Sequence, residues 1–169
     1  MTESIEFDPV DHITVGAVGE PGDRTFLLQA THGDEKVCLV IEKGHILALA
    51  DEAQELFAEA GVPDPLPHWD AETMSIDESL EPSWRVGSVG VGFTEETDQV
   101  LLVCHELVDE GEETATAQFW MSRTQLAALT GYGMVIASQG RPACPLCRNP
   151  MNPEGHYCVS LNGKARPER

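Results

Sequence analysis

The sequence predicts an α+β fold: two pseudo-repeated βββα units in one domain, followed by a small C-terminal cysteine-rich knuckle. Three observations carry this. Val15-Gly16-Ala17-Val18-Gly19 recurs as Val86-Gly87-Ser88-Val89-Gly90. Each copy is followed by two further β-branched or aromatic runs and then by a helical pattern. The chain then changes character, and its last thirty residues carry Cys144-Pro145-Leu146-Cys147 and His156-Tyr157-Cys158.

The first half, about residues 10–61, opens with the strand around Val15–Gly19. Phe26–Ala30 and Val37–Ile41 read as the next two strands, separated by a polar turn from Thr31 to Glu35. A helix follows from about Gly44 to Ala60. It places Ile46, Leu49, Ala53, Leu56, Phe57 and Ala60 on one stripe, with Asp51, Glu52, Glu55 and Glu59 outside. Gly61 and Pro63 stop it. Residues 62–82 hold Pro63, Pro65, Pro67, Pro82 and several acids, which reads as a surface linker. Trp69 and Trp84, inside or beside it, predict that it docks rather than floats.

The second half, about residues 83–138, repeats the order. Val86–Gly90 aligns with Val15–Gly19, Val100–Cys104 with Phe26–Ala30, and Ala115–Phe119 with Val37–Ile41. Ala115, Ala117, Phe119 and Met121 alternate with Thr116, Gln118 and Trp120, the period of a half-buried strand. Ser122-Arg123-Thr124-Gln125 is a capping box that opens a helix running to about Ala137. Gly131 and Gly133 weaken that helix by roughly 1 kcal/mol each relative to alanine. Packing must compensate, or the helix breaks near Tyr132. The pattern leaves open whether the six strands form one sheet or two.

Residues 1–140 form the acidic body and 141–169 the tail. In a Cys-x-x-Cys knuckle the two intervening residues turn the backbone so that both thiolates face one point. His156 and Cys158 can close a tetrahedral site from the far side of a loop rich in turn formers, Pro150, Pro153 and Gly155. The expected set is one zinc ion on Cys144, Cys147, His156 and Cys158. A redox dithiol is the competing reading. It usually opens a helix after a strand, and Pro153 and Gly155 leave no good helix here.

Charge is unevenly placed in a chain of net charge −19. The body has 27 acidic and 5 basic side chains, hence −22, and the tail has 2 acidic and 5 basic, hence +3. Such a body repels phosphate backbones and anionic membranes, so nucleic-acid binding is disfavoured and would be confined to the tail. The first residues are acidic and lack the basic and apolar regions of a signal peptide. No stretch has the 18 to 20 apolar residues of a membrane span. Cys38 and Cys104 sit in apolar strand patterns as small hydrophobes, and a reducing cytoplasm fits this cysteine usage.

The chain resembles a group of actinobacterial proteins classed as a domain of unknown function and ending in a CPLC…GHxC knuckle. The carrying residues are Phe7-Asp8-Pro9, Pro21-Gly22, Arg24, Phe26, Leu28-Gln29-Ala30, Glu42-Lys43 and Arg85-Val86-Gly87. To these the tail adds Gly140-Arg141-Pro142, Cys144-Pro145-Leu146-Cys147, Met151, Pro153, Gly155-His156, Cys158 and Asn162-Gly163. Arg148 stands where such knuckles often have glycine. The resemblance implies a cytoplasmic bacterial protein with a zinc-binding tail. It implies no activity.

Function is read from what remains. Polar residues in apolar surroundings are Arg24, Gln29, Glu42, Lys43, His105, Glu106 and Arg123, and none completes a nucleophile, base and orienter pattern. His105 and Glu106 are neighbours on a strand and point to opposite faces. Four protein ligands close a zinc shell, whereas catalytic zinc keeps a water position open. The expectation is a binding or adaptor protein with structural zinc and a protein partner, a basic one favoured by charge, and leaning away from enzyme. The alternative is an enzyme or ligand-binding protein that takes a small acidic or phosphorylated compound on Arg24, Gln29, Glu42 and Lys43.

Overall fold

The computed structural model describes residues 4–20, 22–63, 68–139 and 146–147, with the backbone of 156–158 and 163–165. The order is β1 (Ser4–Phe7), β2 (His12–Val18), β3 (Thr25–His32), β4 (Glu35–Ile41), α1 (Lys43–Ala60) and β5 (Trp84–Thr94). Then come β6 (Gln99–Glu106), β7 (Thr116–Ser122), α2 (Arg123–Ser138), β8 (His156–Cys158) and β9 (Gly163–Ala165). The α+β class stands. Each half supplies three antiparallel strands and a helix, β2-β3-β4-α1 and β5-β6-β7-α2. Ser4–Phe7, to which no element was assigned from the sequence, adds the seventh strand.

The seven strands lie in one sheet, in the order β1-β7-β6-β5-β4-β3-β2. Its two edge strands are consecutive in the chain, separated by residues 8–11 alone. A flat sheet would hold its edges six strand spacings apart, roughly 29 Å. The five Cα steps from Phe7 to His12 reach at most about 18 Å. The sheet must therefore roll up, and the hydrogen bonds of the connection show where it closes. Val10 N–H donates to the Trp120 carbonyl of β7 at 2.8 Å, and Asp11 N–H donates to the Thr31 carbonyl of β3 at 2.8 Å. β1 and β2 act as one bent strand that seals a barrel. A similar junction lies opposite, where Trp84 and Arg85 pair in parallel with Leu39 and Val40 of β4 before β5 turns to pair with β6.

Strand alternation sorts side chains to two faces. Ile13, Val15, Leu28, Ala30, Val37, Leu39, Ile41, Val100, Leu102, Cys104, Ala117, Phe119 and Met121 all join one interior cluster. α1 adds Ile46, Leu49, Ala53 and Phe57, and α2 adds Leu126, Leu129 and Ala137. Phe57 meets Phe93 edge to face at 6.0 Å. α1 ends as expected, with Gly61 in the left-handed region (φ 70°). The α2 capping box is present: Ser122 Oγ accepts from Gln125 N–H at 3.1 Å, and Ser122 N–H donates to Gln125 Oε1 at 2.9 Å. α2 runs unbroken through Gly131 and Gly133, because Gly133 is the point where it closes on Ile46 of α1 and Val15 of β2.

The ladders correct one expectation. Val15 pairs with Leu28, and in the second half the partner of Leu102 is Val91. Val86 instead pairs with Glu106, beyond a register shift at Gly87. The two Val-Gly pentapeptides both lie on strands but at different ladder positions. Their likeness does not give the structural correspondence of the halves.

The linker docks, as Trp69 suggested. Trp69 packs edge-on against Tyr132 of α2, with ring centroids 5.1 Å apart. Met74 is buried, and its carbonyl accepts from the buried Thr14 hydroxyl of β2. Ile76 covers Gly16, where an added Cβ would lie 2.7 Å from Ile76 Cγ2. Residues 69–77 thus cap the outer face of β2 and β3.

Candidate functional site

A cleft of about 310 Å³ opens beside the barrel seam. Three separate stretches build it. β2 contributes His12 and Ile13, the docked linker contributes His68, Trp69, Asp70, Thr73 and Met74, and α2 contributes Thr124, Gln125 and Ala128. Local capping and turn bonds, joined by long-range bonds, hold the walls. Gln125, fixed by the capping box, donates from Nε2 to the Val10 carbonyl at 3.3 Å and so ties α2 to the seam. Asp70 Oδ1 accepts from Glu72 N–H at 2.8 Å, and Met74 N–H donates to the Asp70 carbonyl at 2.9 Å, which shapes the turn 70–74. Below that turn Gln29 holds Asp77 from both sides, with Nε2 to the Asp77 carbonyl and Asp77 N–H to Oε1, each at 2.8 Å.

The volume matches the lower end of small-molecule sites. The lining joins an indole, two imidazoles, two threonine hydroxyls, an amide and one carboxylate. Among the described lining residues Asp70 is the single one of fixed charge, and neither lysine nor arginine is present. His12 Nε2 is buried without a hydrogen-bond partner among the described residues. Trp84 Nε1 and Trp120 Nε1, outside this lining, are likewise buried without one among the described residues.

Of the residues expected as an anion cluster, Arg24, Gln29 and Glu42 have other partners. Arg24 donates to the Ile136 carbonyl near the end of α2 and lies over the Phe26 ring at 5.3 Å. Gln29 lies on the opposite face of β3 from the interior residues Leu28 and Ala30, and both ends of its amide are used by Asp77. Glu42 precedes α1, giving its N–H to His45 Nδ1 at 3.0 Å, with Arg85 3.8 Å from its carboxylate. Lys43 is exposed at the first position of α1. Gln29 thus lies on the face away from the interior, while the pairing of Phe26 with Ile41 puts Arg24, Glu42 and Lys43 at one end of the β3-β4 ladder.

The other polar residues bond to neighbouring backbone and side-chain groups. Glu106 accepts from Ala115 N–H at 3.2 Å, and exposed His105 contacts the Thr116 hydroxyl at 3.4 Å. Arg123 grips Asp98 with two bonds of 2.7 and 3.2 Å and reaches the Pro63 carbonyl at 3.2 Å. That carboxylate raises the Arg123 pKa further. Ser79 donates to Asp77 through its hydroxyl and N–H, and these bonds hold the Asp77 carboxyl below its ordinary range.

Of the expected zinc ligands, Cys147 lies in a turn with Leu146. Cys144 and the side chains of His156 and Cys158 lie outside the described residues. Among the described residues no group of three or more His, Cys, Asp or Glu could hold a metal ion. No described helix is long and apolar enough to cross a membrane.

Sequence reading did not single out the cleft. Trp69 was the available signal, an aromatic in a proline-rich linker that had to dock somewhere. His12, His68 and Asp70 carry no spacing that would bring them together on paper.

A family model described as a protein of unknown function, DUF3090, matches residues 5–158, and the chain belongs to that family. Neither the curated proteins nor the solved structures contain a match to the chain.

Proposed function

We propose that this chain is a ligand-binding protein whose ligand occupies the seam cleft, with the C-terminal tail as a structural zinc knuckle. The cleft carries the first part. It is concave, it draws on both halves and the linker, and its lining mixes apolar surface with a few convergent polar groups, as small-molecule sites do. The Arg24, Gln29, Glu42 and Lys43 cluster is not the site in this reading, because those groups serve α2, the linker and the start of α1.

The zinc reading rests on ligand chemistry and spacing. Cys144, Cys147, His156 and Cys158 supply the sulfur and nitrogen donors that tetrahedral zinc prefers. The backbone of His156–Cys158 is a strand paired with Gly163–Ala165. When bound, the ion would cross-link a tail that has few large apolar residues to fold around. Internal duplication is part of the same reading, supported by the repeated order of three strands and a helix and by the two similar strand junctions. Reduced cysteine ligands fit a cytoplasmic setting.

Native mass spectrometry tests both parts. The purified chain is expected to carry about one zinc, lost in Cys144→Ser. After incubation with a polar metabolite extract it is expected to retain a small-molecule adduct that is absent from Ala128→Trp, which fills the cleft from α2. Stoichiometric zinc in the Cys144→Ser/Cys147→Ser double variant removes the knuckle. An adduct pattern identical in wild type and Ala128→Trp removes the cleft. In that event the adaptor reading takes its place, with Leu146, 53% exposed in the Cys-x-x-Cys turn, as the protein-contact residue.

A further inference from the structure

We propose that the seam cleft selects an organic cation, an ammonium or amidinium group carried on an apolar body. The inference rests on the reading of the cleft as a ligand site and adds the sign of the ligand's charge.

The lining argues for that sign. Among the described lining residues Asp70 is the one fixed charge, and neither lysine nor arginine offsets it there. The arginine nearest in sequence to the α2 wall, Arg123, is already committed to Asp98 through two bonds. Asp70 spends Oδ1 on Glu72 N–H, which leaves the lone pairs of Oδ2 for a charged donor. Trp69 is next in the lining, and an indole is the aromatic that attracts cations best. Thr73 and Thr124 offer hydroxyl oxygens as further acceptors.

One feature pulls the other way. The first turn of α2 lines the cleft, and a helix start carries a partial positive charge of about half an elementary charge. The capping box weakens that pull, because Gln125 N–H is already bonded to Ser122 Oγ. Against it stand the full charge of Asp70 and the field of the body, in which 27 acidic side chains face 5 basic ones. A cleft lined by one sign of charge in such a field concentrates counter-ions of the opposite sign. Methionine, alanine and isoleucine on the remaining walls suit an apolar body attached to the cation.

The test uses the full chain and three planar probes of similar shape: benzamidinium, benzoate and benzyl alcohol. Binding is followed by NMR at the Trp69 indole N–H and at the amides of His12, Asp70 and Ala128. Benzamidinium is expected to shift these resonances saturably, with affinity reduced about tenfold or more in Asp70→Asn. Asparagine keeps the Oδ1 acceptor for Glu72, so the turn survives and only the charge is lost. Benzoate is expected to shift none of them. Benzoate binding with benzamidinium silent overturns the cationic preference while leaving the cleft a ligand site. Benzamidinium shifts scattered over the acidic surface and unchanged in Asp70→Asn reduce the effect to bulk charge and overturn it as well. If no probe moves a cleft resonance up to about 10 mM, weaker than any useful site, the cation proposal falls. The adduct experiment with Ala128→Trp then decides separately whether the cleft binds anything.

Discussion

Gly133→Val destabilises the fold by about 2–4 kcal/mol, read as a lower urea midpoint with unchanged slope. A Cβ at Gly133 would stand 2.9 Å from Ile46 Cγ2 and 3.3 Å from Val15 Cγ1. Both neighbours are nearly inaccessible, and they belong to α1 and β2, so neither is a free end that can swing aside. Valine adds two further methyl groups with one strongly preferred helical rotamer, and α2 must move outward to admit them. The intrinsic gain of replacing glycine in a helix, a few tenths of a kcal/mol for valine, is too small to offset that. Gly44→Ala is the matched control. No described atom lies within 4 Å of an added Cβ there, and the substitution should stabilise α1 by up to about 1 kcal/mol. Equal midpoints for Gly133→Val and the wild type would show that the three elements are not in contact as described.

That glycine also shows where sequence reading reached and where it stopped. The helix was legible despite Gly131 and Gly133, because its start is written in four adjacent residues from Ser122 to Gln125 and its buried residues recur at helical spacing. What the glycine was for was not legible, since Ile46 and Val15 come from distant parts of the chain. The same division holds elsewhere. Gly61 and Pro63 marked the end of α1, and Ala115 to Met121 alternated as a strand should, all local signals. β1 has only four residues, and its partner β7 is more than a hundred positions away. No local pattern announces such a pairing, so barrel closure was invisible too. The pentapeptide repeat misled for a related reason. Likeness between short stretches does not set register, which follows from which residues face each other across the ladder. Val15 faces Leu28 while Val86 faces Glu106. The cleft lies furthest from sequence reach, because His12, Trp69 and Thr124 meet only after the barrel has closed and the linker has docked.

Alkaline pH is expected to cost this protein stability through Cys104 in particular. Cys104 sits on β6 with its side chain in the barrel interior, directly opposite Val89 and Ala117, and is 0% exposed. Burial pushes its thiol from an ordinary value of 9.0 up to about 12, because a thiolate there would lose its hydration. The unfolded chain loses this proton near pH 9 while the folded chain keeps it until about pH 12. Between those values the folded state binds more protons than the unfolded state, so stability falls as pH rises. The contribution is fully present below pH 9, declines by about 1.4 kcal/mol for each pH unit above it, and totals about 4 kcal/mol once both states have ionised. Cys38, buried under the linker, is raised in the same direction by burial, with the Gln29 amide partly opposing it, and adds to the trend. Urea unfolding of wild type and Cys104→Ala from pH 8 to pH 10.5 separates this from the titration of other groups. Alanine costs stability at pH 8 through the small cavity it leaves, but the gap between the two proteins should narrow steadily above pH 9. A constant gap across that range would place the Cys104 thiol in contact with water and would contradict a closed barrel interior.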